Sequence, residues 1–251
     1  MVSYAMPEPE VRVFASLDEL SHAAAARFAE LACTRAAEGK LFSAALSGGS
    51  TPRRLYELLG SLLHAGQIPW GKIHLFQVDE RCVPPDHRES NYRMIHETLL
   101  VRVPLPEGNV HRMAAEQADL EEAARQYAAE MARALQPREG GCPRLDLVFL
   151  GMGADGHTAS LFPASPALEE KTFWVRANPV EKLGTHRMTL TLPVLNAAAQ
   201  IVFLVSGTEK AETLRWVLKG PLQVEQLPAQ GVRPVNGRVS WYVDEAAARL
   251  L

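Results

Sequence analysis

The chain has 251 residues, 47% hydrophobic and 22% charged, with 26 Lys and Arg against 29 Asp and Glu for a net charge of −3. That length buries a sizeable core, and the absence of a Lys/Arg-rich run argues against nucleic acid or an anionic membrane as partner. No apolar stretch reaches the ~18 residues that span a bilayer, and the start, MVSYAMPEPEVRV, has no charged region leading into an apolar one, so a cytoplasmic protein is expected.

Cys33, Cys82 and Cys142 are odd in number and widely spaced, without a CxxC, and read as reduced, mostly buried thiols. Val11–Phe14 has strand character, and Ser16 and Glu19 have capping-box spacing at the start of a helix that ends near Glu38. Leu41–Leu46 is a short apolar strand that runs into Ser47-Gly48-Gly49-Ser50-Thr51-Pro52. The glycines let successive N–H groups converge on an anion, Ser47, Ser50 and Thr51 add hydroxyls, and Pro52 suits the first turn of a helix whose positive end faces the same anion. The same residues also suit a plain Gly-Gly loop capping a helix. Neither the P-loop nor the dinucleotide glycine fingerprint is present.

A helix is expected from Pro52 to about His64, then a strand over Ile73–Val78 that delivers Asp79-Glu80-Arg81. Ser90–Met94 opens another helix, where Asn91 and Arg93 suit either the cleft or the helix cap, the cap being the expected role. A short strand at Asn109–Met113 and an amphipathic helix over Gln117–Leu135 follow. The apolar run from Leu145 to Leu150 is too short for a typical helix and reads as a buried strand. The turn Gly151–Gly156, with three glycines, then brings Asp155 and His157 to its carboxyl end. In an open α/β sheet ligands bind at that edge.

Thr158–Phe162 is expected as a short helix. Phe173–Ala177 and Arg187–Leu192 alternate as strands with Lys182–His186 as the loop between them, and Ile201–Val205 is a further strand. Ser206–Lys210 is a fourth polar turn, a strand at Ser240–Val243 comes last, and Asp244 caps the terminal helix. Alternating strands and helices argue for an α/β fold: a mostly parallel, doubly wound, Rossmann-like sheet with helices on both faces, as a single domain over residues 1–251.

SGGSTP (Ser47–Pro52), DER with the following VP (Asp79–Pro84), SNYRM (Ser90–Met94), GMGADGHTASLFP (Gly151–Pro163), RMTLT (Arg187–Thr191) and SGTEKA (Ser206–Ala211) resemble, in order, the motifs of the 6-phosphogluconolactonases. The resemblance implies a sheet of the kind shared with glucosamine-6-phosphate isomerases and deaminases. It also implies hydrolysis of 6-phospho-D-glucono-1,5-lactone to 6-phosphogluconate in the pentose phosphate pathway, without metal or organic cofactor; no obligate protein partner is expected.

Lactone opening needs a positioned water, a base and positive charge for the developing oxyanion. With no GxSxG elbow, direct attack by water is simpler than an acyl-enzyme. His157 is the expected general base, with Asp155 orienting it or binding hydroxyls. Arg81 is expected on the oxyanion, and Asp79 and Glu80 either hold that arginine or read substrate hydroxyls. Gly48, Gly49, Ser50 and Thr51 are expected around the phosphate, with Arg187 and Lys210 supplying charge.

Glucosamine-6-phosphate isomerases resemble the chain in their Asp-Gly-His turn, but they carry a glutamate where Phe162 stands and an aromatic residue where Arg81 stands. Both departures count against amine and ring-opening chemistry here. A sugar-phosphate sensor would bring a helix-turn-helix for which the start of the chain is too short, and a dinucleotide oxidoreductase would need the missing fingerprint.

Overall fold

The computed structural model describes residues 9–61, 67–137, 141–181 and 184–251. Its strands are β1 (Glu10–Phe14), β2 (Phe42–Leu46), β3 (Ile73–Gln77), β4 (Asp79–Arg81), β5 (Val110–His111), β6 (Leu147–Gly151), β7 (Val175–Val180), β8 (Thr185–Leu190), β9 (Gln200–Val205) and β10 (Arg238–Asp244). Helices are α1 (Leu17–Ala37), α2 (Ser50–Leu59), α3 (Asn91–Thr98), α4 (Leu120–Leu135), α5 (Leu192–Ala197), α6 (Ala211–Lys219) and α7 (Glu245–Ala248). Seven strands form one sheet in the order β1-β10-β9-β6-β2-β3-β5, and every pairing in it is parallel.

β6 lies at the centre, and its sequence explains why. Leu147 and Phe149 enter a core shared with Leu20, Phe28, Leu55 and Met94 of α1, α2 and α3. Val148 and Leu150 enter the opposite core with Tyr127, Met131 and Leu214 of α4 and α6. A strand covered on both faces is apolar at every position rather than alternately. Burying each such side chain stabilises the fold by roughly 1.5–3 kcal/mol.

A second sheet, in the order β4-β8-β7, is antiparallel and contributes Val175, Met188 and Leu190 to the α4 side. Asp79–Arg81 is an edge strand, paired to β8 from Asp79↔Thr189 to Arg81↔Arg187. Two expectations are corrected here. β8 begins at Thr185, inside the expected loop, of which residues 182 and 183 lie outside the described set. Thr158–Phe162 is not helical, because Ala159 takes φ +52° and Thr158 bridges Leu161 instead.

α2 starts at Ser50, with Pro52 in its first turn, and ends at Leu59; the expected end at His64 lies outside the described residues. α4 starts at Leu120, capped by Asp119, three residues later than the pattern predicts. The cysteines are free, but none is buried as expected: Cys33 is exposed, and Cys82 and Cys142 are partly exposed. Among the described residues no helix is long and apolar enough to cross a membrane.

The far sheet edge carries a short polar chain. The Glu130 carboxylate accepts from His111 Nδ1 at 2.7 Å, and His111 Nε2 lies 2.8 Å from His74 Nδ1. Burial, and then His111, hold the His74 imidazole below its ordinary range. A depressed histidine favours the neutral folded form, so this contribution is complete above the unfolded value near ~6.5 and is lost as pH falls through the folded one. The urea midpoint is expected to drop between pH 7.5 and 5.5, and His74→Gln should flatten that drop; an unchanged slope would contradict the assignment.

Candidate active site

A cavity of about 640 Å³ opens over the carboxyl ends of β2, β6 and β9, three neighbours in the sheet. Ten of the eleven residues singled out from sequence line it: Gly48, Gly49, Ser50, Thr51, Asp79, Arg81, Asp155, His157, Arg187 and Lys210. Glu80 does not.

The turn after β6 is built for a close approach. A Cβ on Gly153 would lie 2.1 Å from His157 Nδ1 and 2.6 Å from Asp155 Oδ1, so only glycine admits the pair. Gly156 has φ +78°, a conformation glycine adopts without penalty. The result is contact between side chains two residues apart, with His157 Nδ1 to Asp155 Oδ1 at 2.5 Å. A carboxylate only accepts, so Nδ1 carries a hydrogen, and in the neutral imidazole the lone pair is then on Nε2. The Phe162 ring stacks on the imidazole at 4.3 Å and 28°, also lining the cavity.

The two glycines after β2 serve different ends. Gly49 is the N-cap of α2 with φ +100°, and no side chain caps the helix, so its first N–H groups stay open toward the cavity. Gly48 is needed for space, since a Cβ there would meet Asn91 Oδ1 at 1.6 Å. The Ser47 hydroxyl is not an anion donor as expected. It donates to Phe149 O at 2.6 Å, while Tyr56 OH donates to Ser47 O at 2.7 Å.

β4 and β8 place Arg81 opposite Arg187. Arg81 Nη1 donates to Glu89 O and Asn91 Oδ1, and Arg187 Nη1 donates to His186 O and Thr185 Oγ1. Burial, and then Arg81, lower the Arg187 pKa. Among the described residues neither arginine, nor Lys210, has a carboxylate within salt-bridge range, so three cations face the cavity with neutral acceptors or none. Lys210 follows a turn pinned from below: Ser206 Oγ donates to Asp244 Oδ2 at 2.5 Å, and Gly207 N donates to the same carboxylate.

Asp79 is buried, and its Oδ2 accepts from Ser160 Oγ at 2.6 Å. Glu80, expected either to hold Arg81 or to read substrate hydroxyls, is 2% exposed and fully used. Its Oε1 accepts from the backbone N–H groups of Arg81 and Asn91, and its Oε2 from Tyr92 N, Ser90 Oγ and Gln77 Nε2. It therefore ties β4 to the start of α3 instead of meeting a ligand.

Asn91, Ser160 and Phe162 also line the cavity. Asn91 was expected as a cap, yet Ser90 Oγ caps Arg93 N; the serine in front of it was the signal that the amide was free for another task. Arg93 faces outward to Glu97 and Asp86 O. Burial pushes the neighbouring Cys82 thiol up to about 11, which keeps it protonated and poorly nucleophilic. No serine or cysteine among the described residues hydrogen-bonds His157, and no three His, Cys, Asp or Glu among them are grouped to hold a metal.

Residues 15–241 match the family described as glucosamine-6-phosphate isomerases/6-phosphogluconolactonase. The chain is similar to the 6-phosphogluconolactonase of Homo sapiens, 41% identical over 251 residues, spanning 98% of this chain and 96% of that one. Similarity to the 6-phosphogluconolactonase of Synechocystis sp. is 41% identity over 207 residues, 82% of this chain and 83% of that one. The solved 6-phosphogluconolactonase of Trypanosoma cruzi superposes with a TM-score of 0.86 at 30% identity, covering 99% of both chains. On fold, site geometry and sequence together, the chain belongs to the glucosamine-6-phosphate isomerase/6-phosphogluconolactonase family.

Proposed function

We propose that the chain is a cytoplasmic, single-domain 6-phosphogluconolactonase that opens 6-phospho-D-glucono-1,5-lactone to 6-phospho-D-gluconate in the pentose phosphate pathway, by direct attack of water. The observation that carries the mechanism is the 2.5 Å contact from His157 Nδ1 to Asp155, which orients the ring and leaves Nε2 as a base in a cavity walled by cations. His157 Nε2 takes a proton from water as the water oxygen bonds to the lactone carbonyl carbon. Arg81 balances the charge on the carbonyl oxygen, and the imidazolium returns the proton to the ring oxygen as the C–O bond breaks. Asp155 stabilises the transient imidazolium. Asp79, fixed by Ser160, is assigned to the substrate hydroxyls.

The phosphate is assigned to the open N-terminus of α2 at Gly48, Gly49, Ser50 and Thr51, with Arg187 and Lys210 closing on it. A charge-assisted hydrogen bond contributes about 1.5–3 kcal/mol, so Arg187→Ala and Lys210→Ala should each raise KM by roughly 10- to 100-fold with kcat little changed. A loss confined to kcat would contradict the phosphate role. The activity itself is tested by the rate at which purified protein opens freshly made lactone, with spontaneous hydrolysis subtracted and glucosamine 6-phosphate assayed in parallel. No acceleration over the blank would sink the lactonase reading, and turnover of the amino sugar would favour the isomerase despite Phe162.

A further inference from the structure

Two strand-end segments, the turn after β2 and the β4 triplet that follows β3, meet on one side chain to which the mechanism above gives no task. Asn91 is 2% exposed at the start of α3, with its amide on the cavity wall. Its Oδ1 accepts from Arg81 Nη1 at 2.7 Å, while its Nδ2 donates to Asp79 O at 2.9 Å and reaches Asp79 Oδ1 at 3.4 Å. This orientation of the amide is chemically forced, because a guanidinium can only donate and a carbonyl can only accept. The amide also lies so close to Gly48 that any side chain there would overlap it. Its backbone N–H is held by Glu80 at 2.7 Å.

We propose that Asn91 is a positioning residue that acts through Arg81, aiming the guanidinium at the developing oxyanion without neutralising it. Arg81 stands opposite Arg187 in the β4–β8 ladder, and two guanidinium groups so placed repel each other. Something must hold Arg81 in place. A carboxylate would do so, but it would cancel the charge that the transition state needs. Asn91 Oδ1 and Glu89 O are neutral acceptors, so they orient the cation and leave its charge for the substrate. The same amide spaces Asp79 from Arg81 by donating to one and accepting from the other. This inference rests on the assignment of Arg81 to the oxyanion.

The test is a double-mutant cycle read in kcat, in KM for the lactone and in thermal midpoint, using Asn91→Ala, Arg81→Ala and the pair. Removing one donor from an oxyanion site typically costs about 10²–10³-fold in kcat, and misaiming that donor should cost about 10- to 100-fold. Asn91→Ala is expected to lose kcat by that factor with KM within about threefold, and to cost nothing further in the Arg81→Ala background. Asn91→Asp keeps the shape and the bond to Arg81 but adds a charge and gives up the donor to Asp79, and should lose at least as much kcat as Asn91→Ala. That variant also decides the matter if the alanine variant fails to fold. Equal losses in both backgrounds, a loss confined to KM, or full activity in Asn91→Asp would overturn the proposal while leaving the lactonase reading intact. An inert wild type would instead overturn the lactonase reading, and this inference with it.

Discussion

Replacing His157 with alanine lowers kcat for lactone opening by about 10²–10⁴-fold, the usual contribution of a general base, while the protein stays folded and still binds 6-phosphogluconate. The reason for the loss is geometric. Asp155 occupies Nδ1, so the single basic lone pair of the ring is Nε2, and no other described imidazole lines the cavity to replace it. The fold survives because the side chain is still 30% exposed and its main packing partner is Phe162, a ring contact worth about 0.5–1.5 kcal/mol. The main-chain bond from Gly153 N to His157 O, which closes the turn, does not depend on the side chain. Initial rates with the spontaneous reaction subtracted, together with calorimetric binding of 6-phosphogluconate, make the measurement. Residual activity within a few fold of wild type would remove His157 from the mechanism.

Glu80→Ala is expected to destabilise the protein by at least about 3 kcal/mol, because hydrogen bonds to a charged group contribute about 1.5–3 kcal/mol and each orphaned buried donor costs about 1–3. Five donors converge on this carboxylate, three of them backbone N–H groups of Arg81, Asn91 and Tyr92 that have nowhere else to turn. For a chain of this size the loss corresponds to a fall in Tm of roughly 6–12 °C. Activity should fall as well, since Arg81 and Asn91 lose the group that fixes their main chains. Glu80→Gln should sit in between: its NH₂ replaces one accepting oxygen and strands either two or three of the five donors. Scanning calorimetry on both variants tests this. An unchanged midpoint would mean that water or a rearranged Gln77 satisfies the donors.

Much of this molecule is legible in its sequence because the signals are local. An apolar run broken by glycines marks a buried strand and its exit turn, and that pattern located Ser47–Pro52, Gly151–His157 and Ser206–Lys210 at the strand ends where the cavity lies. The Ser16 and Asp244 caps depend only on residues three positions away, and both form as read. Other features had no local signal. Asp79–Arg81 is a strand because of residues 187–189, more than a hundred positions on, and a charged triplet carries no strand pattern of its own. Thr158–Phe162 was misread as helix because its apolar and small residues fit a helical turn, whereas the positive φ of Ala159 comes from the bridge between Thr158 and Leu161.

The sequence by itself determined the α/β order, the continuous apolar character of the central strand, and which polar residues stand where strands end, since periodicity and turn chemistry act over a few residues. Only the tertiary structure decided which of those residues touch. Glu80 turned inward to hold main-chain donors, Asn91 met Arg81 and Gly48, and Arg81 came to face Arg187. Those contacts follow from strand pairing and close packing between distant segments, which no local pattern encodes.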